Sequence, residues 1–286
     1  MTFWQNISYK MFRSGSKLYL LIGINVAVFL LINVAAVIQG LFGHQSIIDF
    51  SYEYLALPSY LPKLLTRFWT PLTYMFMHAG FFHILFNMLW LYWLGQIFEE
   101  FLGDKRTLGL YLLGGLSGAF LYVASYNIFP LFTQSGALLT SSAIGASAAV
   151  MAVIAGAATI APNYTIMLFG ILPAKLKWIA IFYVATGFLG ISGPNAGGEI
   201  AHIGGALFGF IYVKQLQNGR DMIGAISRLF KSRSKLKVAS TNTGRSSTSD
   251  APRQEEVDRI LDKISTTGYD NLSKQEKEIL FRASKK

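Results

Sequence analysis

The sequence of 286 residues contains no cysteine, and this absence excludes several kinds of chemistry. Disulfide bonds, thiolate nucleophiles, cysteine-ligated zinc and iron–sulfur clusters all require a thiol. Charge is also scarce, because only 14% of the residues are charged, whereas soluble domains carry about 25%. Hydrophobic residues make up 52% of the chain. This composition predicts a protein embedded in a membrane.

Charged residues are missing from a long central stretch of the chain. Residues 107–174 contain no Asp, Glu, Lys or Arg, and Glu199 is the only charge between Lys177 and Lys214. Most of the basic residues follow Lys214, so the net charge of +10 belongs mainly to the tail. No nucleic-acid reading motif accompanies this charge, and we expect no nucleic-acid partner. Positive-inside topology or contact with anionic lipids explains the basic tail better.

Six apolar segments approach the length of about 20 residues that a membrane helix needs. The basic residues between these segments all fall on one side of the membrane if both termini are cytoplasmic. No cleavable signal is evident, since the first apolar run is too long for one. The expected location is a cell membrane, and the bacterial inner membrane is favoured. We predict an all-α polytopic protein with spans at about residues 18–38, 81–98, 108–127, 145–161, 178–191 and 200–216.

Composition divides the chain into four predicted parts. A cytoplasmic N-terminal segment (1–17) precedes a six-helix membrane domain (18–216), a basic and Ser/Thr-rich linker (217–250) and a small helical hairpin (251–286). In the hairpin, Ser273 and Glu276 have the spacing of a capping box. The linker carries a basic run that either contacts anionic lipids or only enforces topology. Its members are Arg228, Lys231, Arg233, Lys235 and Lys237.

Four polar residues are predicted to meet at one depth in the membrane. In the proposed topology the second, fourth and sixth spans all run from outside to inside, and their first turns carry His83, Asn87, Ser147 and His202. Ionisable groups inside a membrane are costly and are functional candidates by default. The fourth span is also short, at about 25 Å against a core of about 30 Å. Ser147 is therefore expected below the outer surface, under a water-filled cavity.

These residue types suit acyl transfer. A serine hydroxyl needs a base to remove its proton, and a neutral histidine such as His202 can serve. His83 and Asn87 lie four residues apart on one helical face and could donate hydrogen bonds to an oxyanion. Glu199 is assigned to the interface and His78 likewise, so the predicted site is a Ser–His dyad without an orienting carboxylate.

The same residues also have a structural interpretation. Ser and Gly in membrane helices commonly mediate close helix packing. Gly145 with Ala149, and Gly205 with Gly209, form small-xxx-small pairs. Both interpretations can hold, since close contact of the fourth and sixth helices would bring Ser147 towards His202.

Several groups of residues occur in an order and spacing that resemble the rhomboid family of intramembrane serine proteases. They are residues 77–88 (MHAGFFHILFNM), then Gly95, Glu99 and Gly103, then residues 145–147 (GAS), then residues 202–205 (HIGG) with Gly209. The resemblance implies a six-helix rhomboid fold that cleaves transmembrane proteins within or near the bilayer. It implies Ser147 as nucleophile and His202 as general base. It also implies an oxyanion hole made by His83, Asn87 and the Ser147 amide.

Three positions depart from the family pattern. Ala148 replaces a glycine after the serine, Met151 replaces an aromatic residue one turn later, and Thr70 follows Trp69 where some members have arginine. A methyl group could crowd the helix contact at Ala148, whereas a thioether can still contact an imidazole ring. None of the three departures removes a catalytic group.

Other functions would require different residues in the membrane spans. A zinc protease would need His-Glu-x-x-His, and an aspartyl protease two membrane aspartates; neither pattern occurs, so we expect no metal and no cofactor. A catalytically silent relative that binds membrane proteins and guides their folding or turnover is the main alternative. A transporter or channel would need polar residues along a path through the membrane. The expected substrates are single-span or polytopic membrane proteins.

Overall fold

The structure, a computed structural model, describes residues 2–44, 46–168, 170–229 and 254–284. The chain forms two compact units, Met1–Lys231 and Ser232–Lys286. The domain boundaries suggested by the sequence stay a prediction. The elements of the first unit follow in chain order: α1 (Phe3–Phe12), α2 (Lys17–Leu41), α3 (Ser46–Leu55), β1 (Leu57–Pro58), α4 (Leu61–Thr66), α5 (Thr70–Thr73), a 3-10 turn (Tyr74–Phe76), α6 (Phe81–Leu102), α7 (Asp104–Ile128), α8 (Pro130–Thr133), α9 (Ala137–Thr140), β2 (Ser142–Ala143), α10 (Ser147–Ile160), β3 (Thr165–Leu168), β4 (Leu172–Lys175), α11 (Leu176–Gly190), α12 (Ala196–Gln217) and α13 (Met222–Leu229).

Each of the six predicted spans coincides with one of these helices. Four of them, α2, α6, α7 and α12, are long and apolar enough to cross a membrane. The other two, α10 and α11, are apolar but have only 14 and 15 residues. At 1.5 Å per residue these two are about 21 and 23 Å long, which is less than a hydrocarbon core of about 30 Å.

Helix α10 lies at the centre of the first unit. Every residue from Ala148 to Ala158 is buried. Small side chains permit this, because neighbouring helices approach closely where neither carries bulk. A Cβ added to Gly118 of α7 would lie 2.6 Å from the Ala148 Cβ, and one added to Gly114 would collide with the Ala152 Cβ. The methyl group of Ala148 therefore faces Gly118, which has no side chain. The contact between α7 and α10 accommodates this methyl group, so the crowding expected at Ala148 does not occur.

The segment between α2 and α6 is tied to the bundle by buried hydrogen bonds. Asn25 Nδ2 of α2 donates to the Tyr111 hydroxyl (3.0 Å), which donates to the Met75 carbonyl (3.1 Å). The Tyr74 hydroxyl donates to the Gly115 carbonyl at 2.6 Å. Buried polar groups need partners, so these bonds fix the segment against α2 and α7.

A two-stranded antiparallel pairing joins this segment to the chain just before α10. Strand β1 pairs with β2, with Leu57 opposite Ala143. The Ser59 hydroxyl lies 2.8 Å from the carbonyl oxygens of both Leu138 and Ser141. The backbone that leads to Ser147 is thereby held against the segment that contains β1 and Ser59.

A second antiparallel pair, β3 with β4, connects α10 to α11, and the sequence did not predict it. Its loop contains Gly170, whose φ of +76° favours glycine. The strands are only four residues long. So short an apolar run has the same pattern in the sequence whether it is a strand or the end of a helix.

A charged cluster ties α7 to α12 beyond the ends of the apolar helices. The Asp221 carboxylate accepts from Arg106 Nη2 (2.9 Å), the Tyr212 hydroxyl (3.2 Å) and the Gly224 amide (2.8 Å). Glu99 of α6 accepts from the Leu18 amide at the start of α2 (3.1 Å). These contacts fix helix ends of the first unit.

The second unit is a helical hairpin. It consists of α14 (Gln254–Thr267), a 3-10 turn (Tyr269–Asn271) and α15 (Lys274–Ser284). The predicted capping box forms, since the Glu276 amide lies 3.3 Å from Ser273 Oγ and the Ser273 amide 2.7 Å from Glu276 Oε2. Arg228 belongs to α13, whereas the rest of the predicted basic run (Lys231, Arg233, Lys235, Lys237) lies outside the described residues.

Candidate active site

Ser147 is the first residue of α10, and the turn before it requires glycine. Gly145 has a φ of +126°, and its amide donates to the Tyr74 carbonyl at 2.9 Å. A Cβ at this position would lie 2.9 Å from Nε2 of His83 and 3.5 Å from Ser147 Oγ. Gly145 was predicted to pair with Ala149 in helix packing. It lies before the helix instead, where it lets the chain pass beside the His83 ring.

His202 reaches the same region because α12 packs closely on α10. A Cβ at Gly205 would collide with the Ala148 carbonyl oxygen, and a Cβ at Gly209 with that of Ala152. Backbone meets backbone at both points, as is usual for small-residue contacts between membrane helices. These two glycines therefore occupy the packing positions suggested by the sequence.

Ser147, His202, His83 and Asn87 all line one cavity of about 370 Å³. The side chains come from the first two turns of α6, α10 and α12. The sequence predicted first turns, but α12 begins at Ala196, so His202 is its seventh residue, and Asn87 is likewise the seventh residue of α6. Within the described part of the chain, no hydrogen bond joins Ser147 Oγ to His202. Catalytic hydrogen bonds are often long before substrate binds and shorten in the reacting complex.

The carboxylate of Glu199 contacts His202, and the prediction of a site without an orienting carboxylate was wrong. His202 Nδ1 lies 3.3 Å from Glu199 Oε2, and the two side chains are about three-quarters buried. The residues are three apart on α12, a spacing that places side chains on one helical face.

Two glycines of α11 make room for Glu199. A Cβ at Gly190 would lie 2.9 Å from Glu199 Cγ, and one at Gly187 would lie 3.2 Å from Glu199 Oε2. The carboxylate thus lies between α11 and α12. Its place at the membrane interface stays a prediction.

The His83 ring is oriented by its own helix start. Nδ1 accepts a hydrogen bond from the Ala79 amide at 3.2 Å. A neutral imidazole that accepts at Nδ1 carries its proton on Nε2. That nitrogen lies beside Gly145, two residues before Ser147. Asn87 Nδ2 donates to the His83 carbonyl at 2.8 Å, which holds the amide against the same helix.

The amide groups at the start of α10 add further donors. The first hydrogen bond of the helix runs from the Val150 amide to the Ala146 carbonyl. The amides of the first turn have no such partner within a helix, and the positive end of the helix dipole lies there.

Aromatic side chains of α6 and α11 form the outer wall of the cavity. The Trp90 and Tyr183 rings meet edge to face, with centroids 5.3 Å apart. Met151, the second departure, is buried and lines the cavity together with His202. His78 is buried, with its ring 5.1 Å from that of His83, and its place at the membrane interface stays a prediction.

Residues 65–217, more than half of the chain, match the Rhomboid domain family. The chain belongs to the rhomboid family. It is accordingly a multi-pass membrane protein, and all four predicted site residues lie within the matched rhomboid domain.

Individual relatives are distant. RHOMBOID-like protein 12, mitochondrial, of Arabidopsis thaliana is 29% identical over 161 residues, covering 54% of this chain and 48% of the relative. Rhomboid-like protein 15 of the same plant is 29% identical over 177 residues, covering 59% and 42%. Rhomboid protease GlpG of Klebsiella pneumoniae is 31% identical over 94 residues, covering 33% and 32%. This rhomboid thus spans between a third and half of the length of these relatives.

The C-terminal part of the chain has a match of its own. Residues 248–286 match a family of unknown function, DUF6576. The match includes the hairpin of α14 and α15.

Proposed function

We propose that this rhomboid is an intramembrane serine endopeptidase that cleaves transmembrane proteins within or near the outer leaflet. One observation carries the proposal. Ser147 and His202, which are distant in sequence, line one cavity, and a carboxylate contacts the ring of the histidine. A nucleophile, a base and a group that orients the base are the three parts of a serine hydrolase site.

The proposed reaction begins at His202. Nδ1–H of His202 donates a hydrogen bond to the Glu199 carboxylate, so Nε2 carries the lone pair and takes the proton of Ser147 Oγ. The oxygen attacks the scissile carbonyl, and the imidazolium gives the proton to the leaving amine. A water molecule deprotonated by the same histidine then hydrolyses the acyl-serine, which releases the second product and restores Ser147. Glu199 acts as a positioning residue, since it contacts the histidine.

The tetrahedral oxyanion is stabilised by donors that face the cavity. These are the backbone amide of Ser147, Nε2–H of His83 and the side-chain amide of Asn87. Donors that are already oriented require no reorganisation when the charge develops, which is why such groups contribute strongly to rate.

The proposed topology has six crossings with both termini in the cytoplasm. It is supported by basic residues before α2, between α6 and α7, before α11 and after α12. The site then lies near the outer face, within the first two turns of α6, α10 and α12. Because α10 is short and buried, Ser147 is below the membrane surface, where a peptide bond of a transmembrane substrate can reach it. Single-span or polytopic membrane proteins are the proposed substrates.

One observation favours the alternative of a silent relative that binds membrane proteins. The described residues include no hydrogen bond between Ser147 and His202. A relative without activity would retain the cavity and the packing but never form this contact. Activity measurements separate the two functions.

The deciding experiment measures cleavage of a labelled single-span substrate by the purified protein in liposomes. Cleavage should persist in EDTA and fall by about a thousandfold or more in Ser147→Ala and in His202→Ala. Ser142→Ala and His44→Ala, which change exposed residues of the same types, should cleave at the normal rate.

Labelling with a fluorophosphonate measures whether Ser147 is activated, even if the protein does not cleave the chosen substrate. An activated Ser147 should be labelled in the wild type and in Ser142→Ala. An unlabelled Ser147 together with no cleavage would assign the chain to the silent alternative.

A further inference from the structure

A second and larger cavity lies on the other side of α11 from the candidate active site. It has a volume of about 740 Å³ and is enclosed by the second half of α10, by α11 and by α12. Its walls are alanine, isoleucine, valine, leucine and phenylalanine side chains, several of them exposed, such as Phe188 (68%) and Leu207 (52%). The proposed catalysis does not use this groove.

The groove has the depth of one leaflet. Its lining runs from Lys177 to Phe188 on α11 and from Lys214 back to Ile203 on α12. Each wall therefore extends about 16 Å at 1.5 Å per residue. Half of a hydrocarbon core of about 30 Å is about 15 Å. A single lipid tail of one leaflet matches this length.

Both lysines lie at the same end of the groove. Lys177 is in the first turn of α11 and Lys214 in the last turn of α12, because the two helices run in opposite directions. In the proposed topology this is the cytoplasmic end, where the headgroups of the inner leaflet lie.

The two ammonium groups are available to an anion. Among the described residues neither lysine has a carboxylate partner, whereas Lys63, Arg67 and Arg106 each pair with one. Lys177 Nζ lies 5.6 Å from the Trp178 ring centre and Lys214 Nζ lies 6.0 Å from that of Phe210. Basic pockets between membrane helices on the cytoplasmic side are typical sites for anionic headgroups.

We propose that this groove binds an anionic phospholipid of the cytoplasmic leaflet. An acyl chain fills the apolar groove, and the phosphate bridges Lys177 of α11 and Lys214 of α12. The lipid thereby joins α11 to α12, next to the wall of the candidate active site. The proposal concerns binding and stands whether or not the rhomboid is a protease.

The test is native mass spectrometry of the purified full chain with equimolar phosphatidylglycerol and phosphatidylcholine. The wild type should retain phosphatidylglycerol preferentially. Lys177→Ala/Lys214→Ala should lower that retention by about twenty-fold, at roughly fivefold for each lysine. Lys177→Arg/Lys214→Arg should restore it.

A matched control removes the same charge elsewhere on the cytoplasmic side. Lys105 and Lys175 are exposed and do not line the groove. Lys105→Ala/Lys175→Ala should retain phosphatidylglycerol within twofold of the wild type. A third variant, Ala185→Phe, fills the groove with a ring but leaves both lysines, and it should reduce the retention of both lipids.

Three results would overturn the proposal. The first is equal retention of the two lipids by the wild type. The second is an equal loss in the two double-alanine variants, which would mean that only total surface charge matters. The third is a dimer that Ala185→Phe abolishes while lipid retention is unchanged, which would assign the groove to a second copy of the chain.

Discussion

Helices α10 and α11 are nearly equal in length and both are apolar, yet their environments are opposite. In α10 the eleven consecutive residues Ala148–Ala158 are buried. In α11 only Leu176, Ile179 and Gly187 are buried, and large side chains such as Phe182 and Phe188 are more than 60% exposed. The candidate nucleophile is carried by the first of these helices, while the second only borders the cavity.

The difference follows from side-chain size rather than from hydrophobicity. Helix α10 consists largely of alanine with glycine and valine, so the backbones of α7 and α12 can approach it. Helix α11 is rich in Trp, Phe, Tyr and Ile, whose bulk keeps neighbours at a distance and suits contact with lipid. The candidate nucleophile Ser147 is thus placed on the closely packed helix, and a loosely packed helix lies beside it.

The largest expected effect comes from breaking the close contact of α10 and α12. In Gly205→Ala the new methyl group meets the Ala148 backbone, which cannot move without displacing the helix. We expect a loss of about 2 to 3 kcal/mol of stability, or a thermal midpoint about 4 to 12 °C lower in detergent. Gly40→Ala is the matched control, since a Cβ at Gly40 meets no atom within 4 Å. Equal midpoints for the two variants would contradict the central role of α10.

The next effect concerns Glu199 of α12, which packs against α11 and contacts His202. Glu199→Gln keeps the shape but removes the charge, and we expect kcat to fall about tenfold with KM unchanged. Glu199→Leu removes the hydrogen bond as well and should lower kcat further. Glu100→Gln, a matched change at an exposed residue, should have no effect. Wild-type kcat in Glu199→Leu would exclude the positioning role.

A smaller effect is expected at Asp221, whose carboxylate joins Arg106 of α7 to Tyr212 of α12. Among the described residues, no ion pair involves α11. Burial raises the pKa of the Asp221 carboxyl, but hydrogen bonds from the Gly224 amide and Arg106 outweigh it, so this pKa lies below the usual 3.8. Asp221→Asn should lower stability by about 1 kcal/mol at neutral pH, because the pair is partly exposed.

The pH dependence of this effect has a defined sign. A carboxyl with a lowered pKa stabilises the fold above the unfolded-state pKa, near 4, and the contribution is lost as pH falls through the folded-state pKa. The difference in thermal midpoint between wild type and Asp221→Asn should therefore be full at pH 7 and should shrink below about pH 4. A difference that grows on acidification would contradict the assignment.

The smallest effect is expected at α11 itself. Tyr183→Leu removes the edge-to-face contact with Trp90, and such pairs contribute about 0.5 to 1.5 kcal/mol. Phe188→Leu, at an exposed position of the same helix, should change the midpoint by less than 1 °C. If Tyr183→Leu destabilised the protein as much as Gly205→Ala, the comparison of the two helices would be wrong.

Two features of the structure were predictable from the sequence: the six apolar helices, and the grouping of the four candidate site residues around one cavity. Apolar runs locate spans directly, and the alternation of direction predicts one depth for Ser147, His202 and His83. In the structure these three residues line one cavity. The contact between Glu199 and His202 was missed, although their spacing of three residues was a usable signal. What the sequence could not reveal was the pair Gly187 and Gly190 on another helix, which gives the carboxylate its place.

Pairings between distant segments were also beyond the sequence. Strands β1 and β2 have two residues each and are separated by more than eighty positions, so no periodicity marks them. The same holds for the bond from Gly145 to Tyr74, which depends on how two loops meet.

The placement of His202 and Glu199 on α12 has a consequence for biosynthesis. This helix is the last apolar helix of the described chain, whereas Ser147 and the proposed oxyanion donors are made earlier. A nascent chain that ends before α12 therefore has a serine without its base. In the proposed protease, hydrolytic capacity arises only when the final helix is inserted, so an incomplete molecule at the translocation machinery cannot cut the membrane proteins being made beside it.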